Sequence, residues 1–470
     1  MRIYLEALGC RLNYAEMATL GRQLAGAGHE LADSATTADL CVLNSCTVTG
    51  EAARQSRQLA RQLARANPAA RLIVTGCYAT LEGETVAQLP NVELVVGNQR
   101  KDELLRLIQE SGVRGQESAK QPIPQDSEAS SERPTSNTDY GLRTTHHAPR
   151  TRAFVKTQDG CRNRCTFCIV TVARGAERSR TLADLVAEVN ALHAEGYQEA
   201  VLTGVHLGGY GSDLGEDLPS LVTALLTETC IPRLRLSSLE PFDLSEDFFD
   251  LWGQSAGRLM PHLHLPAQSG SDAVLRRMAR RNRVADFERL AAAARAAIPG
   301  LTITTDLIAG FPGETEADFA ETLGFARRVG FAHIHAFPYS AREGTAAARF
   351  DGQVPDGERK RRVRALVALD AELGVAVRRS FVDEVRPVLW ENRDAAPSAE
   401  RSRWMDFPRA TTPMQDGYQV WSGLTDNYLR VLATAPADLE LHNRFSSVRL
   451  ERLEGDVLWG AVTTPLRTHG

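Results

Sequence analysis

Between residues 151 and 375, short apolar runs and amphipathic segments alternate with a regularity that few folds accommodate. Candidate strands fall at 154–157, 200–203, 234–238, 262–265, 302–307 and 333–337. Helical patterns lie between them. Thr181-Leu-Ala-Asp184 has the spacing of a capping box, and Leu182, Leu185, Val186, Val189 and Leu192 then form an apolar stripe that Gly196 ends. Thr315-Glu-Ala-Asp318 opens another helix in the same way. Parallel strands need crossover connections, so six such units predict a partial (β/α)6 barrel rather than a full eight-fold ring.

The flanking regions differ. Residues 1–110 carry strands at 3–8, 40–44, 71–75 and 92–96, with helices at 13–27, stopped by Gly28, and 49–66, which predicts an open parallel α/β sheet. Residues 111–150 are rich in Ser, Gln, Glu, Pro and Thr, with Tyr140 the single aromatic, and read as a flexible linker. Residues 379–465 switch to short strands at 385–390, 418–421, 428–433, 447–452 and 457–462, the pattern of a small antiparallel β-barrel of the oligonucleotide-binding type. An irregular insertion at 392–415 interrupts it. The chain is thus α/β overall, divided into 1–110, a linker at 111–150, a core at 151–376 and a barrel at 379–465.

Hydrophobic residues make up 43% and charged residues 24%, as in an ordinary soluble protein. No apolar run approaches the ~18 residues of a membrane span, and the start lacks a signal-peptide stretch, so the cytosol is the expected compartment and no membrane partner is expected. The net charge of −5 does not mark a nucleic-acid binder, but basic residues cluster locally. Arg54, Arg57, Arg61 and Arg65 line one helix; Arg276, Arg277, Arg280, Arg281 and Arg283 form a second group, and Arg359–Arg362 with Arg364 a third. Together they suggest an RNA face, with Tyr418, Trp421 and Tyr428 as candidates for base stacking.

The eight cysteines are the most specific chemistry in the chain. In a reducing cytosol, spaced thiols more often bind metal than form disulfides. Cys161-Arg-Asn-Arg-Cys165-Thr-Phe-Cys168 follows the first strand of the core, and three thiolates on one loop can hold three irons of a [4Fe–4S] cluster with the fourth left open. Phe167 between two of them could shield the cluster or pack in the core. A zinc site of three cysteines plus His206, in a non-catalytic RNA-binding protein, is the alternative. Cys10, Cys46 and Cys77 each stand just past one of the first three strands, in polar turns, and the carboxyl ends of parallel strands line a single crevice. Cys41, inside an apolar strand, and Cys230 read as core residues. Polar groups at the strand ends of the core, Thr203, Gly204, Ser237, Ser238, Glu240, Gln268, Thr304 and Asp306, are candidate pocket residues.

With both cysteine sets in place, the chain resembles the radical-SAM methylthiotransferases over nearly its whole length. The blocks that carry the resemblance are Leu8-Gly-Cys-Arg-Leu-Asn13, Asn44-Ser-Cys-Thr-Val48, Gly76-Cys-Tyr78, Gln158 to Cys168, His264-Leu-Pro-Ala-Gln-Ser-Gly-Ser271 and Thr305-Asp-Leu-Ile-Ala-Gly-Phe-Pro-Gly-Glu314. The resemblance implies two [4Fe–4S] clusters, one on Cys161, Cys165 and Cys168 that binds S-adenosylmethionine (SAM), and an auxiliary one on Cys10, Cys46 and Cys77 that carries the transferred sulfur. One SAM then methylates that sulfur, and a second supplies the radical that removes hydrogen from C2 of an adenine. It further implies SAM contacts from Thr203, Gly204, Ser238, Glu240 and Asp306, a C-terminal TRAM barrel that binds RNA, a tRNA anticodon loop as partner, and an electron donor such as flavodoxin or ferredoxin. Branches of the family modify isopentenyladenosine in tRNA, threonylcarbamoyladenosine in tRNA, or a ribosomal-protein aspartate. Gly9-Cys10-Arg11-Leu12-Asn13, and His206 where the isopentenyl branch typically has Asn, are similar to the threonylcarbamoyladenosine branch. Thr171-Val172 departs from the Pro-Tyr more frequent in relatives, beside the SAM cluster.

Overall fold

The computed structural model describes residues 1–114, 151–394 and 417–463. The described residues fall in two compact units, the first within 1–147 and the second from 148 onward, with residues 48–50 counted to the second. Residues 111–114 of the expected linker continue the helix Leu104–Arg114, and residues 392–394 of the expected insertion extend a strand. The remainder of both segments lies outside the described residues.

The first unit is a parallel sheet of β1 (Arg2–Ala7), β2 (Glu30–Leu31), β3 (Leu40–Ser45), β4 (Arg71–Gly76) and β5 (Val92–Val96), in the order β2-β1-β3-β4-β5. β3, Leu-Cys-Val-Leu-Asn-Ser, is buried at all six positions, as a central parallel strand covered on both faces must be. The helix Gly50–Ala66 turns Ala53, Ser56, Ala60, Leu63 and Ala64 inward. The chain leaves β1 towards one edge and returns through β3 towards the other. That reversal opens a crevice beyond the carboxyl ends of β1 and β3, where doubly wound sheets bind ligands.

In the second unit β6 (Arg152–Asp159), β8 (Glu199–Gly204) and β9 (Arg233–Leu236) are parallel, with the short β7 (Arg178–Ser179) antiparallel on β6. β10 (His262–His264), β11 (Thr302–Ala309) and β12 (His333–Pro338) form a second parallel sheet. Parallel bridges Leu234↔Leu259 and Ser238↔His264 join the two into one curved wall of six parallel strands. Alternate residues such as Val155, Leu202, Leu236, Leu263, Ile303 and Ile334 pack under the helices in a single core. The residues between them, including Arg235, Glu199, His264 and Asp306, face the lumen. Helix ends follow the sequence. Thr315 and Asp318 cap each other reciprocally, whereas Thr181 accepts from Asp184 N without a return bond.

The chain closes with a five-stranded barrel of β13 (Val385–Asp394), β14 (Tyr418–Thr425), β15 (Arg430–Pro436), β16 (Phe445–Glu454) and β17 (Val457–Val462), in the order β13-β14-β15-β17-β16. Trp421 is 1% exposed in its core and cannot stack on RNA. Tyr428 is also withdrawn from that role. It lies in the turn between β14 and β15 with φ +72°, its ring 4.7 Å from the His262 ring and 4.7 Å from the Arg235 guanidinium carbon. At the same end of the barrel Arg233 donates to Leu424 O of β14 (3.2 Å) and Thr302 Oγ1 to Asn427 O (2.5 Å), and Arg152 pairs with Glu391 of β13 (2.8 Å). The small barrel thus seals the floor of the lumen at the amino ends of its strands. Tyr418 remains 42% exposed. Among the described residues no helix is long and apolar enough to cross a membrane.

Candidate active site

β6 ends at Asp159, and the chain turns through Gly160 into the first cysteine loop. Gly160 sits at φ +72°, and a Cβ there would fall 1.8 Å from Ala176 O, so only glycine opens this loop. Asp159 fixes the turn. It accepts from Gly160 N (2.8 Å) and Arg174 Nη1 (2.9 Å) and pairs with Lys156 Nζ (2.7 Å). Backbone bonds then tie Cys161 N to Gly175 O (3.1 Å), Thr166 N to Met278 O (3.1 Å) and Ala347 N to Thr166 O (2.9 Å). Phe167 packs with Val274, Met278, Phe311 and Tyr339, which gives it a core role.

Burial pushes the thiols of this loop up, Cys161 to about 11 and Cys168 to about 12, with Cys165 shifted the same way. A metal binds the thiolate, so the loop keeps its protons until a metal displaces them. Arg280 stands beside it, buried, with Nη1 3.7 Å from Cys165 Sγ and Nη2 2.5 Å from Glu240 Oε2 and 2.8 Å from Pro266 O. Burial opposes its charge, but Glu240 outweighs that and raises its pKa. A fixed buried cation suits an anionic metal–thiolate group. Sequence reasoning had placed Arg280 on an RNA face; its partner Glu240 lies forty residues away, and nothing local signals the pairing.

The ligand atoms of Cys161, Glu177 and His206 all lie within 4.8 Å of one another. His206 is nevertheless a poor metal ligand. Its Nδ1 is 2.5 Å from Glu177 Oε1 and its Nε2 2.5 Å from Asp243 Oδ2. Each ring nitrogen faces a carboxylate oxygen, which it can meet only as an N–H donor; burial would lower the ring's pKa, but the bonds to Asp243 and Glu177 raise it. The three-cysteine zinc reading therefore loses its fourth ligand.

The second cysteine set lies at the switch point of the first unit. Gly9, at φ +103°, follows β1, and a Cβ on it would fall 2.6 Å from Cys46 Cβ and 2.8 Å from Cys46 Sγ, so the loops after β1 and β3 touch there. Gly76, at φ +98°, ends β4, and its Cβ would fall 2.2 Å from Ser45 O. Cys10 is exposed, whereas Cys46 and Cys77 are buried. A polar layer supports these loops. Asn13 Nδ2 donates to Leu8 O (2.7 Å) and Ser45 O (3.4 Å), and Asn44 Nδ2 to Asn13 O (3.2 Å) and Glu16 Oε2 (3.0 Å). The buried Lys101 Nζ reaches Glu16 Oε2 (2.6 Å) and Asn44 Oδ1 (3.2 Å), and Asn98 Nδ2 donates to Cys77 Sγ (3.5 Å). The asparagines were visible in the sequence blocks beside the cysteines; Glu16, Lys101 and Asn98 were not.

Of the candidate pocket residues, Thr203 and Gly204 end β8, where a Cβ on Gly204 would fall 3.1 Å from Gln158 Oε1. Ser238 is exposed beyond β9, and Glu240 holds Arg280. Asp306 lies on the other sheet, with Oδ1 3.3 Å from His264 Nε2.

Residues 2–97 match a family described as Uncharacterized protein family UPF0004, and residues 155–326 match the Radical SAM superfamily. The chain is 35% identical to the threonylcarbamoyladenosine tRNA methylthiotransferase MtaB of Bacillus subtilis over 436 residues, 92% of this chain and 90% of that one. The chain belongs to the radical-SAM methylthiotransferase family. Its cofactors accordingly include SAM and a [4Fe–4S] cluster, and its activity is that of a tRNA methylthiotransferase. The tRNA-2-methylthio-N(6)-dimethylallyladenosine synthase of Thermobifida fusca is 37% identical, over 81% of this chain and 76% of that one. Among solved structures, the radical S-adenosylmethionine methyltransferase TsrM from Kitasatospora setae matches at a TM-score of 0.50 and 16% identity, covering 72% of each chain, a likeness of fold.

The remaining basic groups of this methylthiotransferase fare differently. Arg359, Lys360, Arg361 and Arg362 are neutralised by Asp356, Glu358, Glu314 and Glu316. On the helix Gly50–Ala66, Arg54 pairs with Glu51, whereas Arg61 and Arg65 are exposed. Cys41 is buried, its thiol pushed up to about 11 by burial and by Glu6; Cys230 is exposed, contrary to its expected core role, because it lies past the helix end at Glu228.

Proposed function

We propose that this enzyme adds a methylthio group to C2 of N6-threonylcarbamoyladenosine next to the anticodon, using two [4Fe–4S] clusters. Cys161, Cys165 and Cys168 hold the one that binds SAM, and Cys10, Cys46 and Cys77 hold the second. Identity does not separate the branches, since relatives named for either adenosine reach 37%. The observation that carries the reading is the polar lumen. A dimethylallyl group needs apolar walls, whereas the inward positions of β10, β11 and β12 include His262, His264, Thr304, Asp306 and His335 beside Ile308 and Phe337. A threonylcarbamoyl group carries a carboxylate, a hydroxyl and ureido N–H groups that such a wall can bind.

The bound clusters and SAM would supply the electron, the radical and the sulfur. The chain's own residues place and shield them. Arg280 offers a fixed cation beside Cys165, Thr203, Gly204, Ser238, Glu240 and Asp306 line the pocket where SAM is held, and the turn around Tyr428 closes the floor against water. Residues 1–110 then act as the methylthiotransferase domain, 111–150 as the linker, 151–376 as the radical-SAM core and 379–465 as the RNA-binding barrel, in a cytoplasmic enzyme served by a donor of the flavodoxin or ferredoxin kind.

Mass spectrometry of tRNA nucleosides from a deletion strain tests the substrate. Loss of the 2-methylthio derivative of threonylcarbamoyladenosine alone is expected, and loss of the isopentenyl derivative instead would overturn the assignment.

A further inference from the structure

The loop that carries Cys161, Cys165 and Cys168 turns a ring of arginines outward. The side chains of Arg162, Arg178 and Arg281 are 55%, 46% and 56% exposed, and Arg164, between Cys161 and Cys165, is exposed as well. The acids that meet them lie beneath. Arg162 Nε is 3.5 Å from Glu177 Oε2, Arg178 Nη2 3.7 Å from Asp159 Oδ2 and Arg281 Nη2 3.1 Å from Asp243 Oδ1, and none of these carboxylate side chains is more than 10% exposed. Each is also engaged from within, Asp159 by Arg174 and Lys156, and Glu177 and Asp243 by the two ring nitrogens of His206. Solvent therefore meets guanidinium groups and not the acids under them. The ring is fastened to the loop itself. Arg162 N donates to Glu177 Oε1 (3.4 Å), Arg281 Nη2 to Asn163 Oδ1 (3.2 Å), and Cys161 N to Gly175 O (3.1 Å). On the helix Val170–Arg174, which follows Cys168, Val172 is 55% exposed.

We propose that this ring is the docking surface for an acidic one-electron carrier protein, which lands on the outside of the cysteine loop. This rests on the reading above that a donor of the flavodoxin or ferredoxin kind serves the enzyme. One electron leaves the reduced flavin or iron–sulfur centre of the carrier, which is oxidised, and enters the oxidised cluster on Cys161, Cys165 and Cys168, which is reduced; no bond forms or breaks. Tunnelling falls steeply with distance, so the carrier must approach the loop that holds the cluster, and the arginines stand on that loop and around it. Transient electron-transfer complexes bury little surface and rely on opposite charge to speed and orient the encounter. A partly exposed aliphatic side chain among the cations suits a protein surface. RNA phosphates gain nothing from Val172, and Phe242, the aromatic beside the ring, is covered by the Arg281 guanidinium at 4.0 Å from its centroid and cannot stack on a base.

The test uses anaerobic full-length holoenzyme and an acidic flavodoxin. Three quantities are read: the dissociation constant of the flavodoxin as a function of salt, the rate of SAM cleavage with reduced flavodoxin or with dithionite, and the dissociation constant of tRNA. Arg162→Gln with Arg164→Gln should weaken flavodoxin binding about tenfold at low salt and flatten its salt dependence. Flavodoxin-driven cleavage at low flavodoxin concentration should slow by a similar factor, while dithionite-driven cleavage and tRNA binding stay within about twofold of wild type. Arg164→Glu, a single change at an exposed position, should weaken flavodoxin binding in the same direction, and Arg164→Lys, which keeps the charge, should not. If the variants bind flavodoxin as wild type does, or lose tRNA binding instead, the surface is misassigned while the donor reading stands. If wild type cleaves SAM with dithionite but neither binds nor accepts electrons from the flavodoxin or an acidic ferredoxin, the donor reading itself fails and the docking surface with it.

Discussion

Replacing Gly9 by alanine separates the second cysteine site from the rest of the enzyme. At φ +103° an alanine is held in a conformation that costs roughly 1–3 kcal/mol. Its Cβ would also lie 2.6 Å from Cys46 Cβ and 2.8 Å from Cys46 Sγ, against an ordinary contact of about 3.4–4 Å, so Cys46 must retreat by the better part of an ångström. A displacement of that size can cost on the order of a hundredfold in rate when it misplaces a reacting group. The expected outcome is a protein that still cleaves SAM in the presence of dithionite yet makes methylthio product about a hundredfold more slowly. Gly28→Ala is the control. It has φ +82° and nothing within 4 Å of the added Cβ, so it bears the backbone cost alone and should lose stability but not product. Liquid chromatography of 5′-deoxyadenosine and of the modified nucleoside reads both quantities in one reaction. Product formation by Gly9→Ala within threefold of wild type would refute the reasoning, because the sulfur of Cys46 could then move freely without consequence.

Other outcomes follow from the same structure. Glu199 is completely buried against Arg235; burial would raise its pKa, but the arginines beside it hold it down at about 2, against an ordinary 4.5. A depressed carboxylate stabilises the fold above pH 4.5 and loses that contribution as the pH falls towards 2, about 3 kcal/mol in all, and Glu199→Gln should remove that slope from urea midpoints measured across this range. Arg280→Met takes a cation from beside Cys165, so the potential of the radical-SAM cluster should move negative by on the order of 60 mV, read by redox titration of its spectroscopic signal; an unchanged potential would deny Arg280 its place. Arg61→Ala with Arg65→Ala should weaken tRNA binding and reduce the slope of log Kd against log salt by about two, whereas an unchanged slope would make that helix face a solvated surface only.

The strand ends explain why so much of the site was readable in advance. A cysteine that follows a parallel strand must reach the carboxyl edge of the sheet, so Cys10, Cys46 and Cys77 could be grouped from sequence although sixty-odd residues separate the first from the last. The β/α alternation likewise foretold six core strands, since each carries its own hydrophobic period and stop signal. Strands of two residues, Glu30–Leu31 and Arg178–Ser179, carry no period and were missed. Burial of charge was illegible for a different reason. Arg280 and Glu240, Lys101 and Glu16, and Arg362 and Glu314 are distant pairs whose sequence context resembles that of surface residues. Trp421 shows the same limit for aromatics, because alternation along a short barrel strand does not say which face is the inside, whereas Tyr428, expected to open a strand, lies in the turn before it. His335 was passed over as one polar residue in a strand, and only the register of β11 with β12 sets it beside Asp306.

The most direct test of two clusters on two cysteine triads is iron analysis with Mössbauer spectroscopy of anaerobically reconstituted protein, comparing wild type with two triple variants. Wild type should bind about eight irons per chain as two [4Fe–4S] clusters, and replacement by alanine of either Cys10, Cys46 and Cys77 or Cys161, Cys165 and Cys168 should leave about four. About four irons in the wild type, lost entirely with Cys161, Cys165 and Cys168 and untouched by loss of Cys10, Cys46 and Cys77, would contradict it.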